Sequence, residues 1–172
     1  MDGDFRMTTL DNLKEAFAGE SQANRKYLAY AEQAERDGHL QIAKLFRAVA
    51  AAETIHAHAH LKAMEGVKST VANLEDALAG EKHEFTEMYP AMLALAKQEG
   101  HKKAERSMGF ALEVENVHYE LFKLALEAAK AGHDLADGSI HVCPVCGHTV
   151  IGDVPDICPI CSVKGSKFFG IT

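Results

Sequence analysis

Two short segments with the same spacing, Glu53-Thr54-Ile55-His56 and Glu115-Asn116-Val117-His118, carry side chains that bind transition metals. Residues three positions apart lie on one face of a helix, so each carboxylate and imidazole can point at the same ion. A single E-x-x-H match is common on solvated helix surfaces and carries little weight alone. Two matches at equivalent positions of a repeated sequence favour a metal site instead.

All four cysteines lie near the C-terminus of the chain, as the pairs Cys143-x-x-Cys146 and Cys158-x-x-Cys161. Four thiolates with this spacing form a tetrahedral site for zinc or iron. A structural zinc ribbon is the commoner outcome for such pairs. A mononuclear iron centre that transfers one electron is favoured here, because a redox-active di-metal site in the same chain would need an electron supply.

A repeat in the first part of the chain determines how the E-x-x-H motifs are positioned. Leu13–Glu20 is echoed by Leu74–Glu81, and Asp37-Gly38-His39 is echoed by Glu99-Gly100-His101 at nearly the same offset. Each half predicts a helix, a glycine-containing turn and a second helix, which gives helices at residues 9–37, 39–65, 71–98 and 101–130. Because a helical hairpin cannot bury its apolar stripe alone, the two hairpins predict a four-helix bundle.

Two features of these helices affect the expected topology. The connection between the halves, at residues 66–70, is short, whereas a ferritin-like bundle needs one long crossover. The linker therefore leaves the topology of the bundle open at this point. Pro90 predicts a kink in the third helix, because proline removes a hydrogen bond and clashes with the carbonyl of Thr86.

Each of the four predicted helices carries an apolar stripe with a glutamate near its middle. Burying an ionised carboxylate without a partner is costly, so several carboxylates converging on one core require cations. One glutamate from each of two helices and an E-x-x-H motif from each of the other two form the ligand set of di-iron and di-manganese carboxylate bundles. The predicted ligands are Glu20, Glu53, His56, Glu81, Glu115 and His118.

Two more residues extend this prediction. Glu84 has no counterpart in the first half, where Ala23 takes the equivalent position, and it lies one turn after Glu81. We predict that it is a seventh ligand, which would let one ion change partner with oxidation state. Tyr27 lies two turns after Glu20 on the same stripe, so its hydroxyl could hydrogen-bond a ligand carboxylate. A core tyrosine with an unrelated partner fits this position equally well.

Composition divides the 172-residue chain into two predicted domains, a helical bundle at residues 1–135 and a small β/loop domain at residues 139–172. The second contains all four cysteines and is too short to fold on apolar burial alone, so we expect a bound metal to stabilise it. The predicted fold class is therefore mainly α.

Charge and hydropathy exclude some classes of function. The net charge is -7, and no basic stripe is present to neutralise phosphates, so nucleic acid is not an expected partner. Residues 1–6 lack the basic and apolar run of a signal peptide, and no 18-residue stretch is free of charges. We therefore expect a cytoplasmic protein that does not enter a membrane.

The sequence resembles the rubrerythrin family over nearly its whole length. The resemblance rests on three features of this chain: the predicted ligands with Glu81-x-x-Glu84, the segment Thr86-Glu87-Met88-Tyr89-Pro90, and the four cysteines. It implies a ferritin-like four-helix bundle with a di-iron site, followed by a rubredoxin-like domain with one iron.

The resemblance implies an activity as well, namely the reduction of hydrogen peroxide to water in an anaerobic or microaerobic cytoplasm. Electrons would come from NAD(P)H through separate carriers, such as a rubredoxin or its reductase. It also implies a homodimer or higher homo-oligomer, in which head-to-tail chains place the rubredoxin-like site of one near the di-iron site of the other. Exchange of His56 for Glu84 on oxidation is a further implication. Two rival hypotheses are an iron storage protein with ferroxidase activity and a structural zinc ribbon, and a di-iron oxidase that reduces oxygen.

Overall fold

The structure is a computed structural model that describes residues 7–172. The chain forms two compact units, Met1–Lys68 and Ser69–Thr172, so the division falls in the connection between the two halves of the sequence repeat. The segment of residues 1–6, on which we based the absence of a signal peptide, lies outside the described residues. Among those described, no helix combines the length and apolar character needed to span a membrane.

The first unit is a hairpin of two helices, α1 (Thr9–Arg36) and α2 (Leu40–Ala63). Thr8 begins α1 with a capping box, in which its hydroxyl accepts the Asp11 N–H at 3.1 Å and the Asp11 carboxylate accepts the Thr8 N–H at 3.0 Å. The turn between the helices uses Gly38 at φ +81°, a conformation that other residues rarely adopt. Small side chains let the two helices pack closely, and the core of the hairpin is formed by Ala31, Ala34 and Ala43 with Phe46.

The second unit begins with a related hairpin. Its first arm consists of α3 (Thr70–His83), a π-helical turn (Glu84–Met88) and α4 (Tyr89–Gln98), and its second arm is α5 (Lys102–Lys130). The Ser69 hydroxyl caps α3 by accepting the Ala72 N–H at 3.3 Å. Gly100, the counterpart of Gly38, turns the chain at φ +69°. The four predicted helical stretches are therefore confirmed, with ends within two residues of those expected.

The π-helical turn is where the two hairpins differ. The stretch from Glu81 to Gly100 is one residue longer than the equivalent stretch from Glu20 to Gly38, so the second half contains one extra residue. In the π-helical turn the Tyr89 N–H donates to the Glu84 carbonyl, five residues back, and such a turn holds an extra residue without ending the helix. The irregularity that we expected from the proline in this helix thus lies in the turn immediately before it.

The cysteine-rich segment contains a three-stranded antiparallel sheet of order β2-β1-β3. Its strands are β1 (Ile140–Val142), β2 (Thr149–Ile151) and β3 (Phe169–Ile171), with a short 3₁₀ helix at Gly165–Lys167. The most deeply buried side chains of the segment are Cys143 and Cys158, each 1% exposed. Thiols therefore take the place of an apolar core, as expected for a segment stabilised by metal. The domain limits at residues 135 and 139 stay a prediction.

Candidate metal centres

The first unit brings together three of the predicted ligands, Glu20, Glu53 and His56, which we call the first triad. Their ligand atoms lie within 4.8 Å of one another. His56 Nδ1 is 2.9 Å from a Glu53 carboxylate oxygen and 3.8 Å from a Glu20 oxygen. Asn24 fixes the two helices beside the triad, since its side-chain amide donates to the Ala50 carbonyl at 2.7 Å. The heptad spacing thus correctly places these side chains on facing stripes of α1 and α2.

The second unit brings together Glu81, Glu115 and His118, the second triad, and here too the ligand atoms lie within 4.8 Å of one another. His118 Nδ1 is 2.7 Å from a Glu115 carboxylate oxygen and 3.9 Å from a Glu81 oxygen. The side chains are more buried than those of the first triad: His118 is 27% exposed, whereas His56 is 55% exposed. The repeat therefore reproduces the geometry of the ligands but not their surroundings.

His56 and His118 differ in the hydrogen-bond partners of the ring nitrogen Nε2. His118 Nε2 lies 3.2 Å from the Thr149 hydroxyl and 3.4 Å from the Gly147 carbonyl, both in the cysteine-rich segment. A metal-binding histidine characteristically donates its other N–H to a carbonyl or hydroxyl, which fixes the tautomer and leaves the first nitrogen free for the ion. Within residues 7–172, His56 Nε2 has no hydrogen-bond partner of this kind.

Electrostatics in the second triad indicate a place for a cation. Burial first, and then the hydrogen bond with Glu115 and the charges of Glu115 and Glu84, raise the pKa of Glu81 to about 7 against the opposing effect of His118. Two carboxylates and an imidazole form a hard oxygen and nitrogen donor set that suits iron or manganese. The donors of both triads therefore fit the metals predicted from the sequence.

Glu84 is the first residue of the π-helical turn and lies outside the close group of the second triad. Its charge nonetheless acts on that group, since it contributes to the raised pKa of Glu81. It is partly buried, unlike the exposed Glu87 of the same turn. The seventh predicted ligand is thus near the second triad without belonging to it.

Two tyrosines, Tyr27 and Tyr89, occupy equivalent positions in the two halves of the repeat. Tyr27 packs against Tyr30 and Phe46, with ring centroids 6.3 and 6.1 Å away. Burial raises the pKa of Tyr89, and the charges of nearby carboxylates, Glu115 foremost, raise it further. Our sequence reasoning assigned no role to Tyr89, although the repeat that pairs it with Tyr27 was a signal that could have found it.

The four cysteines converge on one point. All four Sγ atoms lie within 4.8 Å of one another, with 3.5 Å between Cys143 and Cys161 and 3.6 Å between Cys146 and Cys158. A tetrahedral site with metal–sulfur bonds of about 2.3 Å has sulfur–sulfur edges of about 3.8 Å, so the thiols fit one ion. Burial acts to raise the pKa of Cys143, but backbone N–H groups outweigh it and lower that pKa to about 7, which favours the thiolate form.

Comparisons with known proteins agree with these sites. The model of the family described as rubrerythrin matches residues 11–126, and that of the rubrerythrin rubredoxin-like domain matches residues 141–169. Rubrerythrin-2 of Clostridium acetobutylicum is 38% identical, over 93% of this chain and 95% of its own length. Nigerythrin of Nitratidesulfovibrio vulgaris is 40% identical, over 90% of this chain and 82% of its own length.

A solved structure is similar over nearly the whole chain. It is described as the fully reduced, all-ferrous state of nigerythrin, is 34% identical and aligns with a TM-score of 0.58 over 99% of this chain and 90% of its own. The ferritin-like fold class with a C-terminal rubredoxin-like domain is therefore confirmed.

Proposed function

The chain belongs to the rubrerythrin family, and from that premise and the geometry of its sites we propose that it reduces hydrogen peroxide to water at a di-iron carboxylate site. In this proposal the two triads together supply the ligands of the site, and a single iron bound by the four cysteines supplies electrons. The contact of His118 with the cysteine-rich segment supports the proposal most, because it joins a predicted di-iron ligand to Gly147, which directly follows Cys146.

The ligands have distinct roles in this proposal. Glu53 and Glu115 would be the carboxylates shared by the two ions, because each lies close to the histidine of its own triad and is the less exposed carboxylate there. Glu20 and Glu81 each add a terminal carboxylate. Two ferrous ions, when bound, supply the two electrons that, with two protons, convert one hydrogen peroxide into two waters.

The electron route runs from the cysteine site to the second triad. His118 Nε2 faces the Gly147 carbonyl and the Thr149 hydroxyl, and this hydroxyl in turn donates to the same carbonyl at 3.1 Å. Gly147 follows Cys146 directly, so the peptide unit between them, the Gly147 Cα and carbonyl, and one hydrogen bond separate a predicted cysteine ligand from a predicted histidine ligand. This short connection favours iron over zinc at the four cysteines, because zinc does not change oxidation state.

Glu84 and His56 are proposed to alternate as ligands. A neutral imidazole suits the ferrous state, whereas a further carboxylate compensates the additional positive charge of the ferric state. His56 is the histidine that we propose to dissociate from the ion, because its side chain is half-exposed and its Nε2 has no hydrogen-bond partner within the described residues. The Nε2 of His118, by contrast, is hydrogen-bonded to the Thr149 hydroxyl.

The proposal includes the physiological setting that the family implies. Electrons would come from NAD(P)H through a separate donor, such as a rubredoxin or its reductase, and the protein would act in the cytoplasm as a homodimer or higher homo-oligomer. Tyr27 is proposed to hydrogen-bond a ligand carboxylate of the first triad.

The test is reoxidation of the chemically reduced protein under anaerobic conditions, followed by its visible spectrum, with metal analysis beforehand. We expect three irons per chain, and reoxidation of the two irons of the di-iron site by one equivalent of hydrogen peroxide much faster than by one equivalent of dioxygen. Zinc at the four cysteines with slow release of stored iron would instead support the storage hypothesis. Faster reoxidation by dioxygen would support the oxidase hypothesis.

A further inference from the structure

We propose that the buried imidazole of His148 raises the reduction potential of the iron bound by the four cysteines. Within residues 7–172, His148 is the most deeply buried polar or charged residue, with 8% of its surface exposed. Neither the ligand sets nor the electron route described above uses its side chain. The inference rests on the proposed electron transfer through this iron but not on hydrogen peroxide as the oxidant.

His148 lies in the core of the cysteine-rich segment, opposite Cys143. Val142 of β1 pairs with Thr149 of β2, so the next pair in this antiparallel register is Cys143 with His148. The Cys143 N–H donates to the His148 carbonyl at 2.9 Å, as this pairing requires. Residues directly opposite each other in an antiparallel pair have neighbouring side chains on one face of the sheet. The imidazole therefore lies beside the side chain of Cys143, which is 1% exposed.

Phe168 packs against the imidazole of His148. The two rings are nearly perpendicular, at 88°, and their centroids are 6.2 Å apart. Phe168 directly precedes β3, whose Phe169 pairs with Val142, so Phe168 is the residue opposite Cys143 on the other side of β1. The two rings thus come from the strands that flank β1 and meet on the face that carries Cys143. One polar and one apolar ring enclose this predicted ligand.

The backbone of His148 is bonded to both cysteines of the loop Cys143–Cys146. Its carbonyl accepts the Cys143 N–H. Burial raises the pKa of the Cys146 thiol, and the His148 backbone N–H opposes this effect by donating a hydrogen bond to that thiol. The bonds that shape the loop therefore also fix the position of the imidazole relative to the two cysteines.

A polar ring at this position is costly for folding. The Nδ1 atom of His148 is buried and has no hydrogen-bond partner within the described residues. A buried polar atom without a partner destabilises a fold, whereas a phenyl ring at the same place leaves no polar atom unpaired. The neighbouring Phe168 shows that this core accommodates an apolar ring. A residue that costs stability beside a redox centre indicates a role in the redox chemistry.

The charge of the iron site gives the sign of the effect. Four thiolates and a ferric ion carry one negative charge in total, and reduction increases this to two. Apolar surroundings disfavour the more highly charged form, so they lower the reduction potential, and a polar group placed among them raises it. This effect depends on the polarity of the imidazole and not on a change in its protonation.

Replacing the imidazole with side chains of similar size tests the proposal. His148→Phe keeps a ring and removes its polarity. We expect it to shift the equilibrium between ferric and ferrous iron about tenfold toward the ferric form, which lowers the midpoint potential by about 59 mV for one electron. His148→Asn keeps a polar atom near the position of Nδ1 and should have a potential closer to that of the wild type than to that of the phenylalanine variant. A redox titration of the full-length protein, followed by the absorption of the four-cysteine iron, measures both.

A control variant and a stability measurement separate this role from a structural one. Phe168→Leu changes the packing against the imidazole but leaves the polarity around Cys143 unchanged, so it should keep the wild-type potential. Heating each loaded protein gives the temperature at which the absorption of the four-cysteine iron is lost. We expect this temperature to be unchanged or higher in His148→Phe, and lower in Phe168→Leu because a cavity forms. A histidine retained only for folding would instead lower this temperature when replaced and leave the potential unchanged.

An unchanged potential in His148→Phe would overturn the inference, and so would an equal shift in Phe168→Leu. If the phenylalanine variant does not bind iron at the four cysteines, His148→Leu provides a second apolar variant with the same expected shift. A wild-type protein without a one-electron transition at the four cysteines would overturn the proposed electron supply together with this inference. Slow reoxidation by hydrogen peroxide would overturn the proposed activity alone, because the redox titration uses no peroxide.

Discussion

The two triads have the same three ligand types at repeat-equivalent positions, yet their environments differ. In the second triad, His118 is largely buried and hydrogen-bonded to the cysteine-rich segment through its second nitrogen. In the first triad, His56 is half-exposed, and its contacts within the described residues are with carboxylates of its own triad. The repeat thus contains two equivalent triads, and within residues 7–172 it is the second triad whose histidine contacts the cysteine-rich segment.

This difference between the triads suggests that two bound ions would have different roles. An ion held by His118 would have a ligand whose orientation is fixed by hydrogen bonds and a short connection to the cysteines, as the proposed electron entry requires. An ion held by His56 would have a half-exposed ligand, and Glu84 offers a carboxylate that has no counterpart in the first half of the repeat. The asymmetry therefore lies in the neighbours of the ligands rather than in the ligands themselves.

The largest effect is expected from removing the electron supply. Cys146→Ser should unfold residues 139–172, because metal binding contributes about 10 kcal/mol to the folding of small metal-dependent domains. The helices should persist, so helical circular dichroism is retained while the four-cysteine absorption and donor-dependent turnover are lost. Val145→Ala, at a half-exposed position of the same knuckle, is the control. A cysteine-rich segment that stays folded without metal would contradict our interpretation of it.

The next effect tests whether both triads contribute equally to metal binding. Glu53→Ala and Glu115→Ala should each lose at least one of the two ions, because each removes a proposed bridging carboxylate despite the different surroundings. Metal analysis and crystallography of the loaded proteins measure this. Glu113→Ala removes an exposed carboxylate from the same helix as Glu115 and should leave both ions in place. Full occupancy of both ions in either bridging variant would show that the ligand assignment is wrong.

Replacing Glu84 tests the ligand that breaks the symmetry of the repeat. Glu84→Ala should leave the reduced site assembled and destabilise the diferric state by about 2 kcal/mol, which slows peroxide turnover by about 30-fold. Stopped-flow reoxidation measures the rate, and structures of both oxidation states show the ligands. Glu87→Ala, in the same π-helical turn, serves as the comparison. Unchanged turnover, or one ligand set in both oxidation states, would remove the basis for calling Glu84 functional.

A smaller effect is expected from the hydrogen bond that distinguishes His118 from His56. Thr149→Val removes the hydroxyl and should slow electron transfer from the four-cysteine iron by about tenfold. This is the lower end of the loss of activity that usually follows when the hydrogen-bond partner of a metal-binding histidine is removed. The rate is measured by stopped-flow reduction of the diferric site. Thr149→Ser keeps the hydroxyl and should restore the rate. Equal rates in the valine and serine variants would indicate that this contact only supports the fold.

Much of the candidate site could be predicted from the sequence, because the members of each proposed ligand pair lie only three residues apart in the chain. The spacing of Glu53 and His56 within one helix, and of Cys143 and Cys146 within one knuckle, is set by local geometry that a pattern can capture. The contact between His118 and Thr149 could not be predicted, since it joins a helix to a strand much later in the chain and depends on packing.

Two other features of the structure, the π-helical turn and the position of Tyr89, correspond to sequence patterns from which they could have been predicted. The second half of the repeat is one residue longer between its glutamate and its turn glycine, and this marks the extra residue that the π-helical turn holds. Aligning the two halves also pairs Tyr89 with Tyr27. The division of the chain between residues 68 and 69 was present in the sequence only as the short linker between the two halves of the repeat.

The smallest effect concerns these two tyrosines. Burial and the carboxylates Glu115, Glu84 and Glu81 raise the pKa of Tyr89, so its hydroxyl remains protonated as a hydrogen-bond donor beside the second triad. A neutral donor of this kind contributes about 1 kcal/mol, so Tyr89→Phe should slow peroxide turnover by about fivefold. Tyr27→Phe retains the ring contacts with Tyr30 and Phe46, and its effect should be smaller, because the first triad is more open to water. Steady-state turnover of both variants, at equal iron content, measures the difference. A larger loss in Tyr27→Phe would reverse the ranking and make the more exposed triad the one that depends on its tyrosine.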